Sequence, residues 1–150
     1  MPRMVPSAAV ALLLAAGAAM AAVQPNTPTP MPKVQEQMKT IVDKTSTDLF
    51  NTAGEADPAN GADQKVPDAA GWARLRADAD KLKAVAEWMQ DSKNGKTGEA
   101  NWMRAAKAMS THSGAASKAA SAHDAKALAQ AANDLSDTCT ACHKFYKKQD

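Results

Sequence analysis

Large apolar side chains are what this sequence has least of. Leu, Ile, Val and Phe together make 18 of 150 residues, and the 45% hydrophobic fraction rests mainly on 35 alanines. Six of the 18, Val5, Val10, Leu12, Leu13, Leu14 and Val23, fall within the first 23 residues, which leaves 12 for the rest. Such a chain buries little apolar area by itself. Sparse apolar content marks disorder when net charge is high, but here Lys+Arg 18 against Asp+Glu 16 gives only +2. The composition therefore points to a helical chain of small residues that takes apolar bulk from a partner or a large cofactor. Aromatics are scarce too: three Trp, one Tyr and two Phe are too few for a stacking platform. No basic stripe interleaves with them and the pI is near 8.5, so nucleic acid is excluded as a partner. Beyond residue 23 no apolar run reaches the length of a membrane span. No segment alternates like a strand, and no fixed-period repeat is present.

Met1 to Ala22 reads as a cleaved export signal, with Arg3 at its start, an apolar stretch from Ala8 to Gly17, and Ala19-Met20-Ala21 as the cleavage site. Export places the mature chain in the periplasm, an oxidising compartment. Residues 23–32, with Pro25, Pro28, Pro30 and Pro32, read as an extended tether. Residues 33–150 form the folded domain. Four helical segments follow one another in it. The first, Lys33 to Ala53, carries Val34, Met38, Ile41, Val42, Thr45, Leu49 and Thr52 on one face, with Met38 central. Gly54 ends it, and a loop with Pro58, Gly61 and Pro67 leads to Asp68. The second runs from Asp68, an N-cap residue, to Asp91, with Trp72, Leu75, Ala79, Leu82, Ala86 and Met89 as a seam. The third runs from Thr97 to Ala120, with Trp102, Ala105, Ala106, Met109, Ala116 and Ala120 inward and Met103 turned away. The fourth begins at Ser121 or Asp124 and presents Leu128, Ala132, Leu135, Cys139, Cys142 and Tyr146. Four amphipathic helices with short links imply an all-α, antiparallel four-helix bundle.

The only two cysteines stand in Cys139-Thr140-Ala141-Cys142-His143. C-x-x-C-H is the pattern of covalent haem attachment. Two thiols are needed to form thioethers with the two haem vinyl groups. On a helix Cys139, Cys142 and His143 lie at about 0°, 300° and 40°, so all three address one porphyrin face and the imidazole can bind iron. A thioredoxin-like C-x-x-C needs a βαβ context, which is missing. A zinc site needs four ligands, and only His112 and His123 remain to join. A disulfide across one helical turn would constrain little. The expected cofactor is therefore one haem c, attached through Cys139 and Cys142.

An exported four-helix chain with C-x-x-C-H near its end resembles the class II c-type cytochromes, cytochrome c′ and its six-coordinate relatives. Tyr146 and Lys147 match the Tyr and basic residue with which that family commonly continues the motif. The resemblance covers residues 33 to 148 and is strongest at the C-terminus. It implies that Met38, in Gln37-Met38-Lys39-Thr40-Ile41-Val42-Asp43, lies over the distal haem face. A Met38 thioether on the iron gives a low-spin His/Met centre; a core methionine filling space is the plainer role. Lys147 either pairs with a haem propionate or serves the helix dipole with Lys148. Lys44-Thr45 departs from the Pro-Ala expected of many relatives, which leaves the helix path after Met38 open. The expected function is one-electron transfer with periplasmic redox proteins, not enzymatic turnover; both a monomer and a homodimer stay open. The alternative is a five-coordinate protein that binds NO or CO, with Met38 only shielding the distal face. A peroxidase or NO-reducing role wants a distal acid–base pair, and no well-placed one is present.

Overall fold

The computed structural model describes residues 31–147. The expected leader and most of the tether lie outside the described residues. Every described element is helical, and among the described residues there is no strand. Helix α1 (Pro32–Gln37), a π turn (Met38–Val42) and α2 (Asp43–Glu55) run on as one rod; α3 is Ala69–Trp88, α4 is Ala100–Ser121 and α5 is Ala125–Tyr146. The helix starts inside the expected tether. Pro32 takes the first helical position, where a missing N–H costs nothing and the fixed φ suits the helix.

The π turn is the main departure from the even stripe read in the sequence. The Asp43 N–H donates to the Met38 carbonyl, five residues back. Thr40, Ile41 and Val42 are consecutive β-branched residues, which crowd an α-helical turn. The buried Thr45 hydroxyl donates to the Ile41 carbonyl at 2.7 Å, with the Val42 carbonyl at 3.3 Å. The widened turn therefore keeps its carbonyls satisfied.

Helix α2 ends at Glu55, one residue beyond Gly54. The loop after it holds a short 3-10 turn, Pro58–Asp63, in which Gly61 takes φ +57. Asn60 and Gln64 donate from their side-chain amides to the carbonyls of Gly54 (2.8 Å) and Ala56 (2.7 Å), which pins the loop to the end of α2. Asp68 caps α3 by accepting from the Gly71 N–H at 2.7 Å, and Asp124 caps α5 by accepting from the Ala127 N–H at 2.9 Å. Helix α4 begins at Ala100 rather than Thr97, because residues up to Glu99 are used in a tight connection from α3.

Helices α2 and α4 each pack on both α3 and α5. Along α3 and α4 and just past their ends, contacts join Trp72 to His123, Asp80 to Ser117 and Gln90 to Ala106. Those between α4 and α5 join His112 to Asp134 and Trp102 to Tyr146. The fully buried large side chains are Leu49, Leu75, Leu82, Leu128 and Leu135. Around them the core is mostly alanine. All six residues of the seam expected on α3 are buried. Met103 corrects the sequence expectation: it is half-buried and packs against the core, because α4 leans on neighbours along two sides.

Candidate functional site

Cys139, Cys142 and His143 occupy the last two turns of α5. This stretch follows the Leu128–Ala132–Leu135 stripe, so the helix that buries its first half presents the motif along the same line. Both cysteines are free, half-buried thiols. Burial pushes both thiol pKa values up, that of Cys142 to about 11 with the neighbouring Cys139 adding to it. A disulfide-exchanging C-x-x-C needs the opposite, a thiol lowered towards neutrality. His143 is exposed, yet partial burial lowers its pKa, with a smaller push from Lys147. The shift favours the neutral imidazole, the form that ligates a metal.

Tyr146 closes the helix one turn beyond Cys142. Its ring meets Trp102 edge-on, with centroids 5.1 Å apart at 84°, and its hydroxyl donates to the Glu99 carboxylate at 2.9 Å. Lys96 pairs with the other Glu99 oxygen at 3.0 Å and stands 5.4 Å from the Tyr146 ring centroid. The Trp102 indole N–H donates to the Met89 carbonyl at 2.9 Å. Burial, then the Glu99 contact, raises the Tyr146 pKa to about 12, while the Lys96 hydrogen bond lowers that of Glu99. Glu99 and Lys96 were not singled out from sequence; no local pattern joins them to a residue almost fifty positions away.

Met38 opens the π turn, half-buried and packed against the core. Outside its own rod the π turn meets chiefly α3, and no hydrogen bond or aromatic contact joins Met38 to the cysteine motif. Lys147 is exposed, and its backbone N–H donates to the His143 carbonyl at 3.1 Å. His112 lies 3.8 Å from Asp134 on α5, and His123 stacks on Trp72, 5.3 Å apart and 12° from parallel. Neither belongs to the motif. Met89 and Met109 are buried in the core.

A pocket of about 160 Å³ opens between α2 and α5, lined by Phe50, Ala53, Asp57, Ala132, Asn133 and Ser136 among others. It ends one turn short of Cys139. Among the described residues no three His, Cys, Asp or Glu side chains gather to hold a bare metal ion. A haem iron asks the protein for only one or two ligands, and the donor set here fits that demand: two half-buried thiols three residues apart, with a neutral imidazole adjoining. Elsewhere, Met31, Met38, Ile41, Phe50 and Met103 are partly buried and pack against the core. Comparison with family models, curated proteins and solved structures finds no match.

Proposed function

We propose that this chain is an exported, monohaem c-type cytochrome that passes single electrons between redox proteins of the periplasm. The observation that carries the reading is the pair of free thiols of Cys139 and Cys142 with His143 beside them on the last turns of α5. Cys139 and Cys142 would hold haem c as thioethers, and His143 would be its proximal ligand. When bound, the haem supplies the one-electron chemistry at its iron.

The chain's own residues supply the setting. Partial burial, and then Lys147, lower the His143 pKa and so favour the neutral ring that a metal needs. The raised thiol pKa values keep Cys139 and Cys142 out of ready disulfide exchange. Trp102 and Tyr146 wall the motif on the α4 side. Lys147, exposed one turn after His143, would either pair with a propionate or serve the helix dipole. An antiparallel four-helix bundle is supported by the pairing order: Trp72 and Asp80 of α3 and Gln90 just past it meet, in turn, His123 just past α4 and Ser117 and Ala106 of α4, so one helix ascends as the other descends. In such a bundle the rod from Pro32 to Glu55 carries Met38 towards the end of the molecule that holds His143. Met38 would then be the sixth ligand, giving a low-spin centre that changes little with oxidation state.

Two measurements test this. Haem staining of a denaturing gel should mark the mature band, since thioethers survive denaturation; an unstained band overturns the reading. Visible spectra should show low-spin iron, and Met38→Ala should turn it high-spin with faster carbon monoxide binding to the ferrous form. Wild-type protein that is high-spin in both states, with Met38→Ala unchanged, would replace the electron carrier by a five-coordinate NO- or CO-binding protein in which Met38 is a wall.

A further inference from the structure

Glu99 is the N-cap residue of α4, yet its side chain does not cap the helix. Ser, Thr, Asp and Asn are the usual residues there because their short side chains fold back to the free N–H groups. The Glu99 carboxylate reaches outward instead and is engaged on both oxygens, one by Lys96 at 3.0 Å and the other by the Tyr146 hydroxyl at 2.9 Å. The connection that delivers it is tightly wound. A Cβ on Gly95 would collide with the Met89 carbonyl and the Trp102 indole. The Gly95 N–H donates to the Asp91 carbonyl at 2.9 Å, and the Trp102 indole ties the base of the connection to Met89. Lys96 approaches the Tyr146 ring, and the Trp102 edge meets it. Three groups from the α3–α4 connection and the start of α4, Lys96, Glu99 and Trp102, thus converge on one side chain in the last turn of α5. That side chain is one turn beyond Cys142 and lies on the cysteine face of the helix.

We propose that Glu99 is a positioning residue for the haem-bearing turn, acting through Tyr146. The inference rests on the cytochrome reading. The free end of a helix frays unless something holds it, and His143 sits within one turn of that end. A carboxylate fixed by Lys96 and aimed at the Tyr146 hydroxyl resists rotation of the turn about the helix axis. It therefore sets the orientation of the His143 ring.

The test uses the full chain matured with haem in the periplasm. Glu99→Ala, Tyr146→Phe and the double variant are compared with Asp48→Ala, which breaks the Arg74 ion pair elsewhere on the surface. Ferric electron paramagnetic resonance reports ligand orientation, and potentiometry reports the iron's surroundings. Glu99→Ala and Tyr146→Phe should shift the g values and the potential in the same direction. The double variant should shift them no further than the larger single, as coupled partners do. Glu99→Gln, which keeps an oxygen for the Tyr146 hydroxyl, should restore most of the wild-type spectrum, and Asp48→Ala should leave it unchanged. Haem-loaded Glu99→Ala and Tyr146→Phe with wild-type spectra and potentials would overturn the inference alone, whatever their melting temperatures. Shifts that simply add in the double variant would do the same. An unstained wild-type band would overturn the cytochrome reading and this inference with it.

Discussion

Single residues carry more of this molecule than their size suggests. Gly114 lies inside α4, where a glycine costs roughly 1 kcal/mol relative to alanine. A Cβ there would touch only the Lys83 side chain, at 3.8 Å. Gly114→Ala should therefore raise stability by about 0.5–1 kcal/mol, read as a higher denaturation midpoint; no gain would mean that the helix yields at this point for a reason of its own. Tyr146 gives a pH signature. Its folded-state pKa is raised from 10.0 to about 12 by burial and by Glu99. A raised pKa adds stability at pH values below the ordinary one, and that stability is lost as pH climbs through the folded value. Wild type should lose stability more steeply than Tyr146→Phe between pH 10 and 12, and parallel curves would remove Tyr146 from the alkaline transition. The cysteine motif was legible from sequence because its five residues are contiguous and their chemistry is local. Glu99 was not, because its role exists only once α4 and α5 lie side by side.

At the level of elements, what the sequence made plain was periodicity. The α3 seam, the Asp68 cap and most of the inner faces of α4 and α5 follow from spacing and side-chain reach; Met103 and the Asp124 cap do not. The π turn was hidden, since its stripe of Val34, Met38, Ile41, Val42 and Thr45 reads equally well as plain α-helix. Only the uncertainty about the path after Met38 marked the place. Crowding at Thr40-Ile41-Val42 loosens the turn, and the Thr45 hydroxyl secures it. Thr45→Val keeps the shape but removes the donor. It should cost about 0.5–1.5 kcal/mol, and amide exchange across residues 38–45 should speed up. Thr40→Val, which loses an exposed bond to the Glu36 carbonyl, should cost less. Equal effects would show that burial of the Thr45 bond is not what holds the turn.

For the whole molecule, scarcity of bulk decides the behaviour. Five leucines are the large side chains fully closed off from water, and alanine is the commonest residue between them. On the cytochrome reading, the haem contributes apolar mass that the polypeptide lacks. Cys139→Ala combined with Cys142→Ala should yield a chain with lower helicity and a broader melt, by circular dichroism, than the haem-loaded protein. A double variant that melts cooperatively at the wild-type temperature would mean that the alanine core suffices. The fold was readable at this scale as a set of helices; the winding of the α3–α4 connection was not, since it depends on Trp102 finding the Met89 carbonyl. An alanine interface is also a smooth rail. Methyl groups interlock shallowly, so an alanine stretch by itself offers few steric stops against a shift along the helix axis. Two aromatic pins help to fix the alignment, Trp72 against His123 just past the close of α4 and Trp102 against Tyr146 at its start, with the Asp80–Ser117 and His112–Asp134 contacts between them. The two pins work as end stops on a slide rule. Loss of either stop would leave the register to the buried leucines and the polar contacts between the stops.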